Sequence, residues 1–214
     1  MRSRRMALAL AMTLMSGPAA AQADFEGIWE PRHPPNAHPP LAQVKLTPAG
    51  RAEFQSFGPE KDPALRCIMP AVPLGIINPY PTEIVQQKHQ ILILHEHFHE
   101  VRRIFMDGRK PPDRWVPSLE GYSTGQWEGK TLVIRTTRLS PDNNMTMTGL
   151  PFSGDEHTYV IERLSRDGNV LNLTAEVHDP TYYEEPYVMH GRWDFAPKGE
   201  ILEYECIPEF GGVQ

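Results

Sequence analysis

Cysteine is scarce in this sequence: only Cys67 and Cys206 are present, and their spacing gives no CxxC motif. This scarcity argues against a catalytic thiol or a cysteine-ligated zinc site. In an oxidising compartment, two lone cysteines most simply form one disulfide, which would tie an early loop to the end of the chain. Two buried free thiols are the alternative. The phosphate-binding patterns GxGxxG and Walker A are also absent, so nucleotide binding loses its usual support.

Basic residues are too few and too scattered to form a nucleic-acid-binding surface. The chain has 21 lysines and arginines against 27 aspartates and glutamates, which gives a formal net charge of −6. An acidic chain without a basic stripe argues against nucleic acid and anionic lipid as partners.

Long apolar runs are missing as well, apart from a short one near the start. Met6 to Met15 is apolar, follows Arg2, Arg4 and Arg5, and precedes Ala21-Gln22-Ala23. A basic start, a short apolar run and a small-x-small site are typical of a secretory signal peptide cleaved near Ala23. The sequence therefore predicts a signal peptide over 1–23 and one mature domain over 24–214. We expect that domain to be periplasmic or secreted, without a membrane span.

Proline and glycine are abundant and predict an all-β domain. The 22 prolines and 16 glycines cluster between short apolar runs, as in a chain of strands and turns. Thr47-Pro48, the following AGRAEFQSF and Gly58 predict one helix, with a cap, an N-terminal proline and a glycine stop. About eight or nine strands in sequential hairpins predict an antiparallel up-and-down barrel. A first strand is predicted over 25–30, and the run of hairpins covers 82–87, 90–96, 101–106, 122–127, 131–137, 158–164, 170–178, 188–195 and 201–207.

Four segments resemble a family of secreted bacterial proteins. HEVRRIFMDGR, GYSTGQWEGKTLVIRT, VIERLSRDG and HDPTYYEEP occur here in the order found in that lipocalin-like barrel family. Asp62 to Cys67 matches its Asp-Pro-x-x-Arg-Cys piece. The resemblance implies a lipocalin-like barrel, and such barrels include small-molecule binders as well as cofactor-independent isomerases and lyases. Most of the family has no assigned activity. Tyr122 stands where the family pattern leads us to expect Asp or His.

The stretch HEHFHEVRR, residues 95–103, is the most chemically suggestive part of the sequence. Three alternating histidines suit a transition metal on an uninterrupted strand, but a reversal is expected near His97-Phe98. Three interpretations stay open: a metal site, a polar hairpin tip in solvent, or a cavity wall with proton-transfer groups. The third favours His99. Arg103 would then share the inner face of its strand with His99, paired with Glu162 or Glu176, for structure or as a clamp on a carboxylate or phenolate.

A second candidate pair lies on the strand from Val170 to His178. Its residues alternate between apolar and polar, with Glu176 and His178 on the polar face. That face is either the wet outside of the barrel or the lumen. In the lumen, Glu176 and His178 would form an acid/base pair near neutral pH.

Aromatic and turn residues complete the candidate site. Tyr182 and Tyr183 lie on a predicted loop at the barrel mouth and either stack on an aromatic ligand or pack over the barrel end. Tyr122 and Arg109 are candidate substrate contacts, although Asp107-Gly108-Arg109 most simply makes a turn.

Two function classes follow from this pattern. The first is a secreted lyase or isomerase without a cofactor, acting on a small hydrophobic, aromatic or polycyclic molecule in the barrel cavity. The second is a binding protein for the same ligand class without turnover. The predicted catalytic groups are His99, Arg103, Glu176 and His178. Their convergence inside the barrel would favour the enzyme, whereas a lumen lined only by apolar side chains would favour the binding protein.

Overall fold

The computed structural model describes residues 22–204, apart from 33, 35 and 144, together with residue 206. Residues 1–21 of the predicted signal peptide lie outside this range. Among the described residues, no helix is long and apolar enough to cross a membrane.

Nine strands form a closed barrel in sequence order, and the last strand pairs with the first. This architecture confirms the predicted all-β barrel. The strands are β1 Gly27–Pro31, β2 Thr82–Gln86, β3 Gln90–His95, β4 Val101–Phe105, β5 Tyr122–Glu128, β6 Thr131–Thr137, β7 Tyr159–Asp167, β8 Val170–His178 and β9 Tyr187–Phe195.

One α-helix, α1 Pro48–Ser56, precedes the main run of strands, as predicted. The hydroxyl of Thr47 accepts a hydrogen bond from Gly50 N, which satisfies one of the free amides at the helix start. An added Cβ on Gly50 would lie 2.2 Å from the carbonyl oxygen of Tyr182, so the helix packs closely on the loop after β8. Five 3₁₀ segments cover Leu41–Gln43, Pro59–Lys61, Pro63–Arg66, Leu74–Ile77 and His97–His99.

Two details of the predicted topology are wrong. The pair β4 and β5 is parallel, because the connection over 106–121 returns to the end of the barrel at which β4 begins. The expected final strand over 201–207 is not formed in its described part, since residues 201–204 have no regular structure. Residues 205 and 207 of that prediction lie outside the described residues.

The short hairpins β2–β3, β5–β6 and β7–β8 close one end of the barrel, and glycines at positive φ make two of their turns. Gly129 has φ 65° and Gly168 has φ 57°. The longer connections 32–81, 138–158 and 179–186 gather at the opposite end, which we call the mouth. Between the two ends the interior is filled by fully buried side chains, among them Trp29, Ile91, Ile104, Leu132, Ile134 and Met189.

Candidate functional site

A large cleft lies at the mouth and has a cavity volume of about 840 Å³. That volume lies within the range found for small-molecule sites. Apolar side chains dominate its lining, including Leu41, Leu74, Ile77, Met147 and Leu150. Leu41 and Met147 are 53% and 72% exposed, so two large apolar side chains face solvent at this place. Exposed apolar groups that cluster around a concave surface indicate a binding site.

One wall of the cleft is a cluster of aromatic rings from three separate segments. Tyr80 and His97 stack with ring centres 4.7 Å apart and planes 14° from parallel. Tyr204 meets both rings edge-on, at 5.3 and 5.1 Å. Phe98 lies 5.2 Å from Tyr204. Burial lowers the pKa of His97, so its ring is neutral at pH 7 and behaves as a further aromatic face.

The disulfide between Cys67 and Cys206 holds the end of the chain against this wall, as predicted from the two cysteines. Cys206 itself lines the cleft. Two backbone amides of the tethered segment bond to side chains of the 95–100 region: Tyr204 N donates to His99 Nε2 at 2.7 Å, and Leu202 N donates to Glu96 Oε2 at 3.0 Å.

The floor of the cleft is connected to the barrel interior through Asn78. This residue lines the cleft, and its amide oxygen accepts from Tyr80 N at 2.9 Å. The amide nitrogen therefore faces Gly75 O and His95 Nδ1, both at 2.9 Å. Because that nitrogen can only donate, Nδ1 of His95 accepts and the neutral ring carries its proton on Nε2. Burial, reinforced by the charge of Arg102, lowers the pKa of His95 to about 3.

Below this floor lies a small inner cavity of about 30 Å³, lined by His95, Arg102, Glu162, Thr82 and apolar side chains. It has room for about one water molecule. This inner cavity is therefore too small for an organic ligand, and the mouth cleft is the candidate ligand site.

Arg102 is the central charge of the barrel interior, and its side chain is 3% exposed. Its guanidinium donates two hydrogen bonds to Glu162, at 2.5 and 2.9 Å. It also donates to Thr136 Oγ1 at 2.8 Å and to Ser123 Oγ at 3.2 Å. A buried arginine with this many partners is fully satisfied, so Arg102 is a structural element rather than an available clamp.

Two further carboxyl groups surround Arg102 without full pairing. Glu120 Oε2 lies 3.7 Å from Arg102 Nε but has no hydrogen-bond partner among the described residues. Within the same described range, Glu100 Oε1 also lacks a partner. Burial raises the pKa of Glu100 to about 7, although the charge of Arg102 opposes the rise. At neutral pH Glu100 is therefore about half protonated.

The first two predicted catalytic residues do not face the lumen. The expected reversal near His97-Phe98 is confirmed, since the chain forms a 3₁₀ turn with Phe98 at φ 58°. This turn leaves His99 partly exposed beside Tyr204 and Glu203. The expected inward direction of Arg103 is wrong by one residue: Arg102 and Ile104 are buried, whereas Arg103 is exposed.

Glu176 and His178 lie on the outer face of β8. The apolar residues of that strand are buried in the barrel, and the polar ones alternate outward. Glu176 Oε2 lies 3.5 Å from His178 Nε2, and the His178 ring stacks on Tyr159 at 4.4 Å. The two residues are therefore close to each other but are not brought together with His99 or Arg103 in a cavity.

Tyr122 and Arg109 form part of a separate cluster on the outer face of β4 and β5. Tyr122 is buried, stacks on Phe105 at 5.0 Å and meets Trp115 edge-on at 4.8 Å. Arg109 pairs with Asp107 and lies over the Phe105 ring. Neither Tyr122 nor Arg109 lines the cleft, because the connection over 106–121 folds back over this part of the barrel wall.

Tyr182 and Tyr183 pack at the barrel end rather than lining the cleft. Tyr183 is 4% exposed, and its hydroxyl donates to Pro151 O at 2.8 Å. Tyr182 is partly buried against the core and close to α1. The sequence left two roles open for these tyrosines, stacking on an aromatic ligand or packing over the barrel end, and the structure favours packing over the barrel end. Tyr187, at the start of β9, does line the cleft, as do Tyr80 and Tyr204 of the aromatic wall.

Two stretches match the sequence patterns of catalytic motifs but do not adopt the structures that those motifs require. Residues 95–99 read HExxH, which binds zinc when both histidines lie on one helix face, yet here His95 ends a strand and His99 ends a 3₁₀ turn. Residues 121–125 read GxSxG, whose serine belongs on a strand-to-helix turn, yet Ser123 lies within β5 and bonds to Arg102. Among the described residues, no group of three His, Cys, Asp or Glu side chains is arranged to hold a metal ion.

Sequence reasoning missed the residues that build the cleft and its floor. His95 could have been found by continuing the alternation of Ile91 and Ile93, both of which face inward. Arg102 could have been found by phasing β4 from Ile104 instead of Phe105. Asn78 and Tyr204 carry no sequence signal, because only the fold brings their segments together.

Comparison with models of known protein families gives no match, and neither does comparison with curated proteins. The assignment of a function therefore depends on the site itself.

Proposed function

We propose that this protein binds a small hydrophobic or aromatic molecule in the mouth cleft. The observation that carries the proposal is the cleft of about 840 Å³ with a largely apolar lining and a wall of stacked rings. Burying apolar ligand surface there would contribute roughly 25 cal/mol per Å² before the costs of association. The barrel supplies a rigid support, and the loops at its mouth supply the contacts.

A panel of aromatic and terpenoid compounds tests this proposal by thermal shift and by titration. The matched variants place a carboxylate on an exposed apolar position inside or outside the cleft. Leu41→Asp/Met147→Asp acts at the cleft, and Val116→Asp acts at a 76% exposed position away from it. We expect the first to weaken binding at least ten-fold and the second to leave it unchanged. Equal affinities for both variants, or no saturable binding across the panel, would contradict the proposal.

Catalysis without a cofactor is the second candidate, as a lyase or isomerase on the same ligand class. The observation in its favour is the contact of Asn78 with His95, which connects the cleft floor to buried titratable groups. Product formation in the same panel tests this candidate. A His95→Gln variant that still binds but no longer turns over would support an enzyme, whereas binding without any product would leave the binding protein.

The sequence resemblance described above fits either function. We propose membership of the lipocalin-like secreted family and export through the signal peptide, with cleavage near Ala23. The disulfide supports an oxidising compartment. Mass spectrometry of the protein purified from its native host would identify the mature N-terminus and test the cleavage site.

A further inference from the structure

The described lining of the mouth cleft contains no lysine or arginine. The lining does contain the acidic residue Asp62, whose Oδ1 already accepts from Ala64 N at 2.9 Å. Below the cleft floor, the buried Arg102 is paired with Glu162. An anionic ligand would therefore meet no lysine or arginine in the described lining, in a chain whose formal net charge is −6.

Besides Asp62, the polar groups of the lining include several hydroxyl groups, which suit neutral partners. Thr146 and Thr148 share a hydrogen bond between their hydroxyls at 2.8 Å. The hydroxyl of Tyr187 lies 3.1 Å from His38 Nδ1. Hydroxyl groups of this kind can donate to and accept from an alcohol, a phenol or a carbonyl.

The aromatic wall strengthens this pattern. The stacked pair Tyr80 and His97 presents aromatic faces, with Phe98 and Tyr204 beside them, and burial lowers the pKa of His97. Neutral rings attract a flat ring by stacking but do not compensate the desolvation of a carboxylate.

We propose that the cleft selects an uncharged ring molecule with a hydroxyl or carbonyl group and discriminates against the carboxylate of the same shape. This inference rests on the proposed binding function and specifies its ligand class. The physical reason is that a carboxylate would lose its water in the cleft without gaining a cationic partner.

Three bicyclic probes of similar size test the selectivity: 2-naphthol, 2-naphthoate and N-methylquinolinium. Their affinities are measured by calorimetric titration at pH 7.5, in 20 mM and in 200 mM salt. We expect 2-naphthol to bind at least ten-fold more tightly than 2-naphthoate, with an affinity that is independent of salt. Equal or tighter binding of 2-naphthoate would overturn the inference. Tighter binding of the cation would overturn it as well, because Asp62 and the rings would then form a cation site.

A variant that adds a positive charge to the cleft tests the same inference through a gain of affinity. Thr148 is exposed and lines the cleft, so Thr148→Lys is compatible with folding and adds the missing cation. We expect this variant to bind 2-naphthoate at least five-fold more tightly than the wild type does. The control Val116→Lys adds the same charge outside the cleft and should leave the affinity unchanged.

The outcomes separate this inference from the function on which it rests. If none of the three probes binds, both the selectivity and the proposed function are contradicted. If the probes bind but the carboxylate is preferred, or if Thr148→Lys gains nothing over Val116→Lys, only the selectivity is contradicted.

Discussion

Three glutamates share one buried arginine in the mouth half of the barrel. Glu162 accepts hydrogen bonds from Arg102, and Glu120 Oε2 lies 3.7 Å from Arg102 Nε. The charge of Arg102 also acts on the carboxyl group of Glu100 and opposes the rise of its pKa. Burial makes a carboxylate at Glu100 costly, and the charge of Arg102 offsets only part of that cost. The pKa of Glu100 therefore rises to about 7.

The protonation of Glu100 should make the free energy of unfolding depend on pH. Its pKa rises from 4.5 in the unfolded chain to about 7 in the fold, so the native state binds the proton more tightly. The stability that this proton contributes is complete below pH 4.5 and is lost as the pH rises through 7. We expect Glu100→Gln to raise the free energy of unfolding at pH 8 by about 1–3 kcal/mol relative to wild type, with little effect at pH 4.5.

Urea unfolding at pH 4.5, 6 and 8 checks this expectation. Glu156→Gln is the control, since the Glu156 side chain is 89% exposed and its neutralisation should shift stability only slightly. A Glu100→Gln variant with the same stability difference at all three pH values would show that Glu100 does not titrate near neutral pH.

At the scale of the strand, the sequence predicted the positions of the strands better than the direction in which their side chains point. The bounds of β6 and β8 match the sequence prediction, and in β8 the buried and partly exposed residues alternate strictly. In β4 the pattern VRRIF fits two phases equally well, since Val101, Ile104 and Phe105 are all apolar. The turn at His97–His99, with Phe98 and His99 both at positive φ, selects the phase that buries Arg102. Such a turn has no sequence signature. The predicted phase of β4 was therefore wrong by one residue, and it placed Arg103 instead of Arg102 inside the barrel.

The phase of β4 can be tested by a pair of neighbouring substitutions. Arg102→Ala removes the partner of Glu162 and leaves a buried carboxylate uncompensated, which should cost about 3–5 kcal/mol of unfolding free energy. Arg103→Ala removes an exposed side chain and should change stability by about 0.5 kcal/mol or less. Chemical denaturation of both variants at pH 7 measures the difference.

If Arg102→Ala fails to fold, Arg102→Met/Glu162→Leu keeps the comparison possible. Replacing both partners by apolar residues removes the uncompensated charge, so this double variant should recover much of the loss. Equal destabilisation by Arg102→Ala and Arg103→Ala would contradict the burial of one and the exposure of the other.

At the scale of the whole molecule, the cleft depends on segments that are distant in sequence. Its lining combines the long connection after β1, the turn after β3, the loop before β7 and the C-terminal segment that contains Tyr204 and Cys206, together with Tyr187 at the start of β9. Sequence analysis identified the two cysteines and the barrel, because both have local signatures. It could not identify the cleft, because no local pattern records that Tyr80, His97 and Tyr204 meet.

Removal of the disulfide should therefore affect both the stability of the molecule and its ligand site. The bridge spans 139 residues, and the variant Cys67→Ser/Cys206→Ser should lose about 2–5 kcal/mol of unfolding free energy. It should also bind 2-naphthol at least five-fold more weakly, since Cys206 lines the cleft and the bridge holds Tyr204 in the aromatic wall. Denaturant unfolding and calorimetric titration measure the two effects separately.

The two effects have different causes, and Tyr204→Ala distinguishes them. This variant keeps the bridge but removes the ring that contacts Tyr80, His97 and Phe98. Because Tyr204 is partly exposed, its loss should reduce binding of 2-naphthol more than it reduces stability. A disulfide-free protein that remains folded and binds 2-naphthol as tightly as wild type would contradict the role of the tethered chain end. In that case the barrel and its long connections would hold the ligand without a contribution from the tethered segment.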